Sequence, residues 1–134
     1  MLLYLALVLA APPEGPVPAA LHGRWRVTAE VMEGIPTPEN RYRDLRIEID
    51  ASTLRLHDGE NLLECKAATD PRLRILVVTP RTGSRVDRPF VGLYFISGDL
   101  MRICLPRESS LEPPPEMSAP AGKNRVLISL QREK

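Results

Sequence analysis

The chain of 134 residues has the length of one domain, and removal of a leader of about 20 residues would leave enough chain to bury a core. Its 18 Lys and Arg residues nearly balance 17 Asp and Glu residues, so at a net charge of +1 no large field draws it to nucleic acid or to an anionic membrane. Arginine supplies 15 of the 18 basic residues. That bias is compatible with carboxylate or phosphate recognition by the planar guanidinium group, and a GC-rich genome produces it as well.

The first segment of the chain has the features of a secretory signal peptide. An apolar stretch at 2–11 precedes a proline-rich spacer, and small residues over 17–20 suit signal-peptidase cleavage. The stretch is about half of the roughly 20 residues that a spanning helix requires, so no stable membrane span is expected after cleavage. No Lys or Arg precedes it, which leaves a misplaced start or an uncleaved anchor as alternatives. We expect a signal peptide and leader at 1–20, a folded domain at 21–134, and export to the periplasm, the cell envelope or the extracellular medium.

From Arg24 onward, apolar residues recur at every second position, which is the spacing of strands with one buried face. In the first such run, Trp25, Val27, Ala29 and Val31 share one face, and polar residues occupy the other. The pattern recurs along the chain and predicts eight strands, whose runs read RWRVTAEVM, LRIEID, LRLHD, NLLECKA, RLRILVV, FVGLYFI, LMRICL and RVLISLQ.

The segments between these runs predict how the strands are connected. Short turns rich in Gly, Asp, Asn and Ser indicate hairpins. A longer polar interruption predicts a short helical turn after Pro38, and the prolines of 106–124 predict an extended loop, because they exclude a central strand. The pattern is typical of a closed barrel or a small sandwich. We favour an all-β fold, an eight-stranded antiparallel barrel, since closure removes the exposed sheet edges.

Several short motifs in this order resemble a known family. Gly23 and Trp25 at the head of the first strand are similar to the G-x-W signature of lipocalin-type barrels. The runs GLYFISGDLMRICL, PPEMSAP and VLISLQRE resemble the uncharacterised planctomycete-type lipocalin-like secreted domains of bacteria, over 21–133. Met117 departs from that family, which tends to place an aromatic residue there. The resemblance implies a lipocalin-like barrel and an exported protein, and it carries no established activity.

The resemblance also implies a structural role for the only tryptophan. In lipocalin-like barrels the G-x-W tryptophan packs at the closed end beneath an arginine from the last strand, a place that Arg132 or, as the alternative, Arg125 would take here. A buried ring under a cation adds about 0.5–2 kcal/mol beyond area burial. Gly23 would let the chain pass close to the floor of the barrel. We therefore expect Gly23, Trp25 and Arg132 to close one end.

The side chains that catalysis requires are sparse. His22 and His57 are the only histidines, and neither lies in a recognisable catalytic motif, so both are interpreted as surface residues. Cys65 and Cys104 lack the spacing of a zinc site. Strand parity points them to opposite sides of the wall, which disfavours a disulfide without excluding one. We predict that the protein is not an enzyme and that it binds no cofactor and no metal.

Binding is the function class that remains. Eight-stranded barrels either fill with side chains or hold one small ligand. Aliphatic residues predicted to line the interior, with plain core packing as the alternative, are Ile47, Leu56, Ile75, Val77, Met101, Ile103 and Ile128. The leading hypothesis is non-catalytic binding of a small apolar ligand or envelope component in the barrel. The alternative is a protein-interaction module that uses the barrel exterior and the proline-rich loop to contact an envelope protein, and a hydrolase with scattered catalytic residues is a third.

Overall fold

The computed structural model describes residues 15–134, which form a closed antiparallel barrel of eight strands with one short additional strand. The all-β, eight-stranded barrel predicted from the alternation is confirmed. The strands are β1 (Gly23–Met32), β2 (Ile35–Pro36), β3 (Leu45–Ile49), β4 (Thr53–Asp58), β5 (Asn61–Asp70), β6 (Ile75–Pro80), β7 (Phe90–Ser97), β8 (Leu100–Pro106) and β9 (Arg125–Arg132).

Strand β1 closes the barrel because it pairs with both β3 and β9. Its partners include Ile47 on β3 and Arg132 on β9, both opposite Trp25. The remaining strands pair with their neighbours in chain order, so the wall is a meander of hairpins. Strand β2 extends the far end of β1 and is the additional strand. A 3-10 turn over Glu39–Arg41 follows Pro38, as the polar interruption predicted, and another over Ala19–Leu21 precedes β1.

Alternate residues of the strands fill the interior. The buried residues of this core cluster are Val17, Leu21, Trp25, Val27, Ile47, Ile49, Leu54, Cys65, Ala67, Leu76, Val78, Phe90, Tyr94, Met101, Ile103 and Leu130. Many of them lie at one end, where β1 and β3 meet the last residues of β9. We call this the closed end, and we call the opposite end, where β8 finishes and β9 begins, the mouth.

A β-bulge in β1 changes which side chains reach the interior. Pairing with β9 shifts between Val27 and Ala29, so one extra residue lies on β1. Beyond the shift Glu30 pairs with Ile128 and Met32 with Val126, and all of these line one cavity at the mouth. The single apolar face predicted for β1 is therefore wrong beyond Val27, because a bulge reverses the alternation that follows it.

The segment before β1 packs across the closed end. Val17 is only 3% exposed, and its N–H donates to the Ala51 carbonyl at 2.9 Å. Thr69 binds the same segment twice, through its N–H to the Gly15 carbonyl at 3.0 Å and its hydroxyl to the Pro16 carbonyl at 2.9 Å. The packed part of the chain thus begins upstream of the domain boundary expected at residue 21. The apolar stretch at 2–11 on which the signal-peptide prediction depends lies outside the described residues.

The proline-rich stretch after β8 forms the late loop, which we define as residues 107–124. It is anchored to the β1–β2 turn, where Glu33 accepts the Gly122 N–H at 2.7 Å. It is also anchored to β7, where the Val91 N–H donates to the Ser110 carbonyl at 3.2 Å. Val91 is buried although it lies outside the core cluster and faces outward from the barrel, so part of β7, whose run FVGLYFI is apolar on both faces, lies beneath this loop.

We expect a chain that begins at Leu21 to be less stable than one that begins at Gly15, by about 2–4 kcal/mol. The shorter chain loses the burial of Val17, worth about 1.5–3 kcal/mol, and hydrogen bonds worth about 1 kcal/mol each. Urea unfolding of the two purified chains measures the difference.

Val17→Ala in the longer chain tests the same contact without shortening the chain, and Ala19→Ser, at an exposed position, is the matched control. Equal unfolding midpoints for the chains from Gly15 and from Leu21 would show that the segment adds nothing to the fold.

Candidate functional site

The closed end is organised around Trp25. The side chain is fully buried, and its indole N–H donates to the Leu21 carbonyl at 3.0 Å. The guanidinium carbon of Arg132 lies 4.3 Å from the ring centroid, within the range of a cation–π contact. The ring is thus held from one side by the incoming chain and from the other by the last strand.

Arg132 also binds the backbone that crosses the closed end. Its Nη2 donates to the Ala20 carbonyl at 2.7 Å, its Nη1 donates to the His22 carbonyl, and its Nε contacts Asp99 Oδ1 at 3.0 Å. Gly23 has a φ of +129°, and a Cβ there would lie 3.0 Å from Arg132 Nη1. Gly23, Trp25 and Arg132 therefore meet at the closed end, where side chains and backbone fill the space.

Arg125, the alternative partner for Trp25, lies elsewhere. It is buried under the late loop at the start of β9, where its Nη1 donates to the Glu116 carbonyl at 3.4 Å. Strand β9 places it at the opposite end from Arg132. The tryptophan's cationic neighbour is therefore Arg132.

The residues predicted to line a ligand cavity differ in their burial and position in the structure. Ile47, Met101 and Ile103 are buried in the core cluster and pack against other side chains. Leu56 and Ile128 are half-buried and pack against that cluster. Among these, only Ile128 lines the cavity at the mouth.

Ile75 and Val77 do not belong to the core cluster, whereas Leu76 and Val78, which alternate with them on β6, do. Val77 pairs with Val91, whose side chain also faces outward. The interior position expected for Ile75 and Val77 is thus occupied by their neighbours. Four consecutive apolar residues at 75–78 offer no polar residue to set the phase of the alternation.

A cavity of about 490 Å³ opens at the mouth, within the range of roughly 300–1,000 Å³ typical of small-molecule sites. Strands β1, β7, β8 and β9 provide its apolar wall, and the β6–β7 loop and the late loop provide its rim. The wall consists of Met32, Phe90, Leu105, Val126 and Ile128, and the rest of the lining is Pro106 and the polar residues Glu30, Arg85, Arg107, Glu108 and Asn124.

The charged groups at the mouth are held by specific contacts. Glu30 accepts a hydrogen bond from the Thr37 hydroxyl at 2.9 Å. Arg85 donates from Nη1 to the Arg107 carbonyl at 2.8 Å and lies over the Phe90 ring at 5.7 Å. Arg107 Nη1 is 3.9 Å from Glu33 Oε1. The mouth therefore combines an aliphatic wall with arginine heads at its rim.

Apart from Ile128, the residues that line the mouth were not predicted from the sequence, for two physical reasons. The bulge in β1 brings Glu30 and Met32 inward, and no feature of the alternation indicates where it occurs. Arg85 and Arg107 come from two different loops, which meet only in the folded chain. The arginine bias of the composition was the one available signal.

The histidines occupy half-buried positions away from the mouth cavity. His22, which the sequence predicted to be a surface residue, is half-buried at the closed end, where its Nε2 lies 2.8 Å from the Val17 carbonyl. His57 Nε2 lies 2.8 Å from Glu48 Oε1, a distance suited to an ion pair when the ring is protonated, without hydrogen-bond alignment.

Cys65 and Cys104 are both buried and free. Cys65 faces the core, and Cys104 faces outward beneath the late loop, where its thiol donates to the Ser118 carbonyl at 3.4 Å. Strands β6 and β7 separate the two. Burial raises the pKa of both thiols, because the thiolate loses its hydration inside the protein.

A second apolar cleft lies on the barrel exterior. It has a volume of about 420 Å³ and lies between the β5–β6 turn, the outer faces of β7 and β8, and the late loop. Phe95, which is 44% exposed, and Leu73, which is 50% exposed, lie at this cleft. Met117 completes it from the late loop.

We expect Trp25→Phe to lower the free energy of unfolding by about 2 kcal/mol, because it leaves the buried Leu21 carbonyl without a donor and shrinks the ring under Arg132. Urea denaturation measures the loss. Phe95→Leu, at an exposed aromatic position, is the control and should change stability little. A selective loss of ligand binding in a stable Trp25→Phe protein would contradict the structural role.

The native protein is expected to expose no fast-reacting thiol at pH 8, since both thiols are buried and their raised pKa keeps them protonated as the pH rises. Titration with an aromatic disulfide reagent should find two thiols only after unfolding. Mass analysis of the purified protein without reductant provides the control, and a mass lower by about 2 Da would reveal a disulfide.

Within the described range, no helical segment has the length and apolar character that a membrane crossing requires. The same residues bring together no group of three or more His, Cys, Asp or Glu side chains suited to a metal ion. Comparisons with protein-family models, with curated proteins and with solved structures each found no match to this chain.

Proposed function

We propose that the protein is an exported, non-catalytic binding protein that holds a small apolar ligand in the mouth of its barrel. The observation that carries this proposal is the mouth cavity, in which five apolar side chains form one wall beneath a polar rim. Such a combination is typical of ligand sites, where apolar area supplies affinity and a few polar groups fix orientation.

The filled closed end supports the mouth as the place of binding. Trp25, Met101, Ile103 and Leu130 are each at most 1% exposed, so a ligand would approach only from the other end. Aliphatic contacts stabilise such a complex by about 25 cal/mol for each Å² of apolar surface removed from water. A flexible alkyl chain suits a wall of Met, Leu, Val and Ile.

Another cavity, beside the 3-10 turn over Glu39–Arg41, is less suited to an apolar ligand. It has a similar volume of about 490 Å³, but most of its lining is polar or charged. Two of its arginines are already engaged, Arg26 with Gln131 Oε1 at 2.9 Å and Arg46 with Glu133 Oε1 at 3.1 Å. We therefore assign the ligand to the mouth.

The alternative proposal is a protein-interaction module, and the exterior cleft favours it. Phe95, Leu73 and Met117 present apolar surface to solvent beside the late loop. Exposed aromatic side chains of this kind serve as anchors in protein interfaces. Under this alternative the partner is an envelope protein and the mouth stays empty.

We expect 1-dodecanol, an alkyl chain with an uncharged head, to bind the purified protein in calorimetric titration. Val126→Trp, which fills the mouth, should weaken this binding at least about tenfold, because a bulky ring occupies the space of the ligand. Native mass spectrometry of the freshly purified protein should show a retained apolar molecule.

Leu73→Trp, at the exterior cleft, is the matched control and should leave dodecanol binding unchanged. Weakened binding in Leu73→Trp alone would move the apolar site to the exterior and favour the interaction module. Absence of binding in the unmodified protein, with nothing retained, would contradict ligand binding in the mouth.

A further inference from the structure

We infer that the ligand of the mouth is an amphipathic anion whose carboxylate or phosphate head is held by Arg85 and Arg88. This inference rests on the proposed function and names the chemical class of its ligand. It comes from the arrangement of the β6–β7 loop, which places Arg85 at the mouth cavity and Arg88 with it in an adjoining cleft.

The loop between β6 and β7 positions the two arginines together. The Arg88 N–H donates to the Arg85 carbonyl at 3.2 Å, which forms a tight turn. Asp87, the third residue of this turn, has a φ of +62°, and the two arginines that flank it line one cleft. The Asp87 N–H donates to the Pro80 carbonyl at 2.9 Å and fixes the turn to the end of β6.

A cleft of about 350 Å³ joins this turn to the mouth. It is lined by Arg85, Arg88, Phe90, Glu108 and Ser109, of which Arg85, Phe90 and Glu108 also line the mouth cavity. The Ser109 hydroxyl donates to the Pro89 carbonyl at 2.7 Å, so its oxygen is fixed beside the arginines. A head group in this cleft would be continuous with an alkyl chain on the mouth wall.

Neither Arg85 nor Arg88 forms an ion pair with a carboxylate in the described part of the chain, so both can bind a ligand anion. Among residues 15–134, neither Arg85 nor Arg88 has a carboxylate oxygen within 4.0 Å, whereas Arg107 faces Glu33 at 3.9 Å. Arg85 is oriented by the Arg107 carbonyl, and that bond leaves its other N–H groups to donate elsewhere. A planar fork of this kind binds a carboxylate or a phosphate through paired hydrogen bonds.

Glu30 and Glu108 are the acidic groups that oppose an anion at this site. Glu30 is bound by Thr37 and lines the mouth cavity but not the cleft of Arg88, whereas Glu108 lines both. A ligand of the opposite polarity would place a cation at these carboxylates. The two orientations make opposite predictions for anionic and cationic amphiphiles, which allows a direct test.

Dodecanoate, dodecyl phosphate, 1-dodecanol and dodecylammonium, each below its micelle concentration, are titrated into the full chain and into the double variant Arg85→Gln/Arg88→Gln. We expect at least one anion to bind about tenfold or more tightly than dodecanol, and this preference to fall as salt screens the charges. In the double variant the preference should vanish while dodecanol binds as before. The anion that binds better identifies the head as carboxylate or phosphate.

Arg72→Gln, an exposed arginine of the β5–β6 turn, is the matched control and should retain the preference. Equal binding of anions and dodecanol by the unmodified protein would overturn the anionic head and leave the proposed function standing. Tightest binding of dodecylammonium would overturn it in the same way. Binding of none of the amphiphiles would overturn both. Urea midpoints of each variant show that it is folded, and Arg88→Gln alone, which keeps the contact of Arg85 with the Arg107 carbonyl, serves if the double variant is unstable.

Discussion

The contact between Arg132 and Trp25 joins two parts of the chain that are far apart in sequence. The guanidinium of Arg132 lies over the face of the Trp25 indole, and the indole N–H donates to the Leu21 carbonyl. Arg132 binds the backbone at Ala20 and His22 as well, and so ties the last strand to the segment that enters the first. Closure of a barrel requires its first and last strands to meet, and this cluster stabilises their meeting at one end.

Closure of that end leaves the mouth as the place where a ligand can enter the barrel. Because large side chains fill the closed end, open space is left at the mouth, where the β-bulge in β1 has turned Glu30 and Met32 inward. Bulges often occur at barrel rims, where they re-aim side chains. One extra residue in β1 thus changes a uniformly apolar face into a wall that is apolar at the closed end and mixed at the mouth.

The loops at the mouth contribute charged side chains and are anchored to the barrel. The late loop is anchored to the β1–β2 turn through Glu33 and to β7 through Ser110, so it forms a fixed part of the rim. It also buries Val91 and Cys104 on the outer wall. The same contacts hold Arg107 beside Arg85, so the stability of the outer wall and the arrangement of the proposed anion site depend on one segment.

The sequence by itself determined the fold class, because a period of two over eight runs is compatible only with strands that have one buried face. The resemblance of its G-x-W motif to that of lipocalin-like barrels implied Trp25 and Arg132 as the closing pair, with Arg125 as the alternative to Arg132. The sequence could not determine the phase of the 75–78 run, in which every residue is apolar, or the bulge after Val27. The packed segment at 15–20 and the meeting of Arg85 with Arg107 were decided only by the tertiary structure, because both depend on hydrogen bonds between residues distant in the chain.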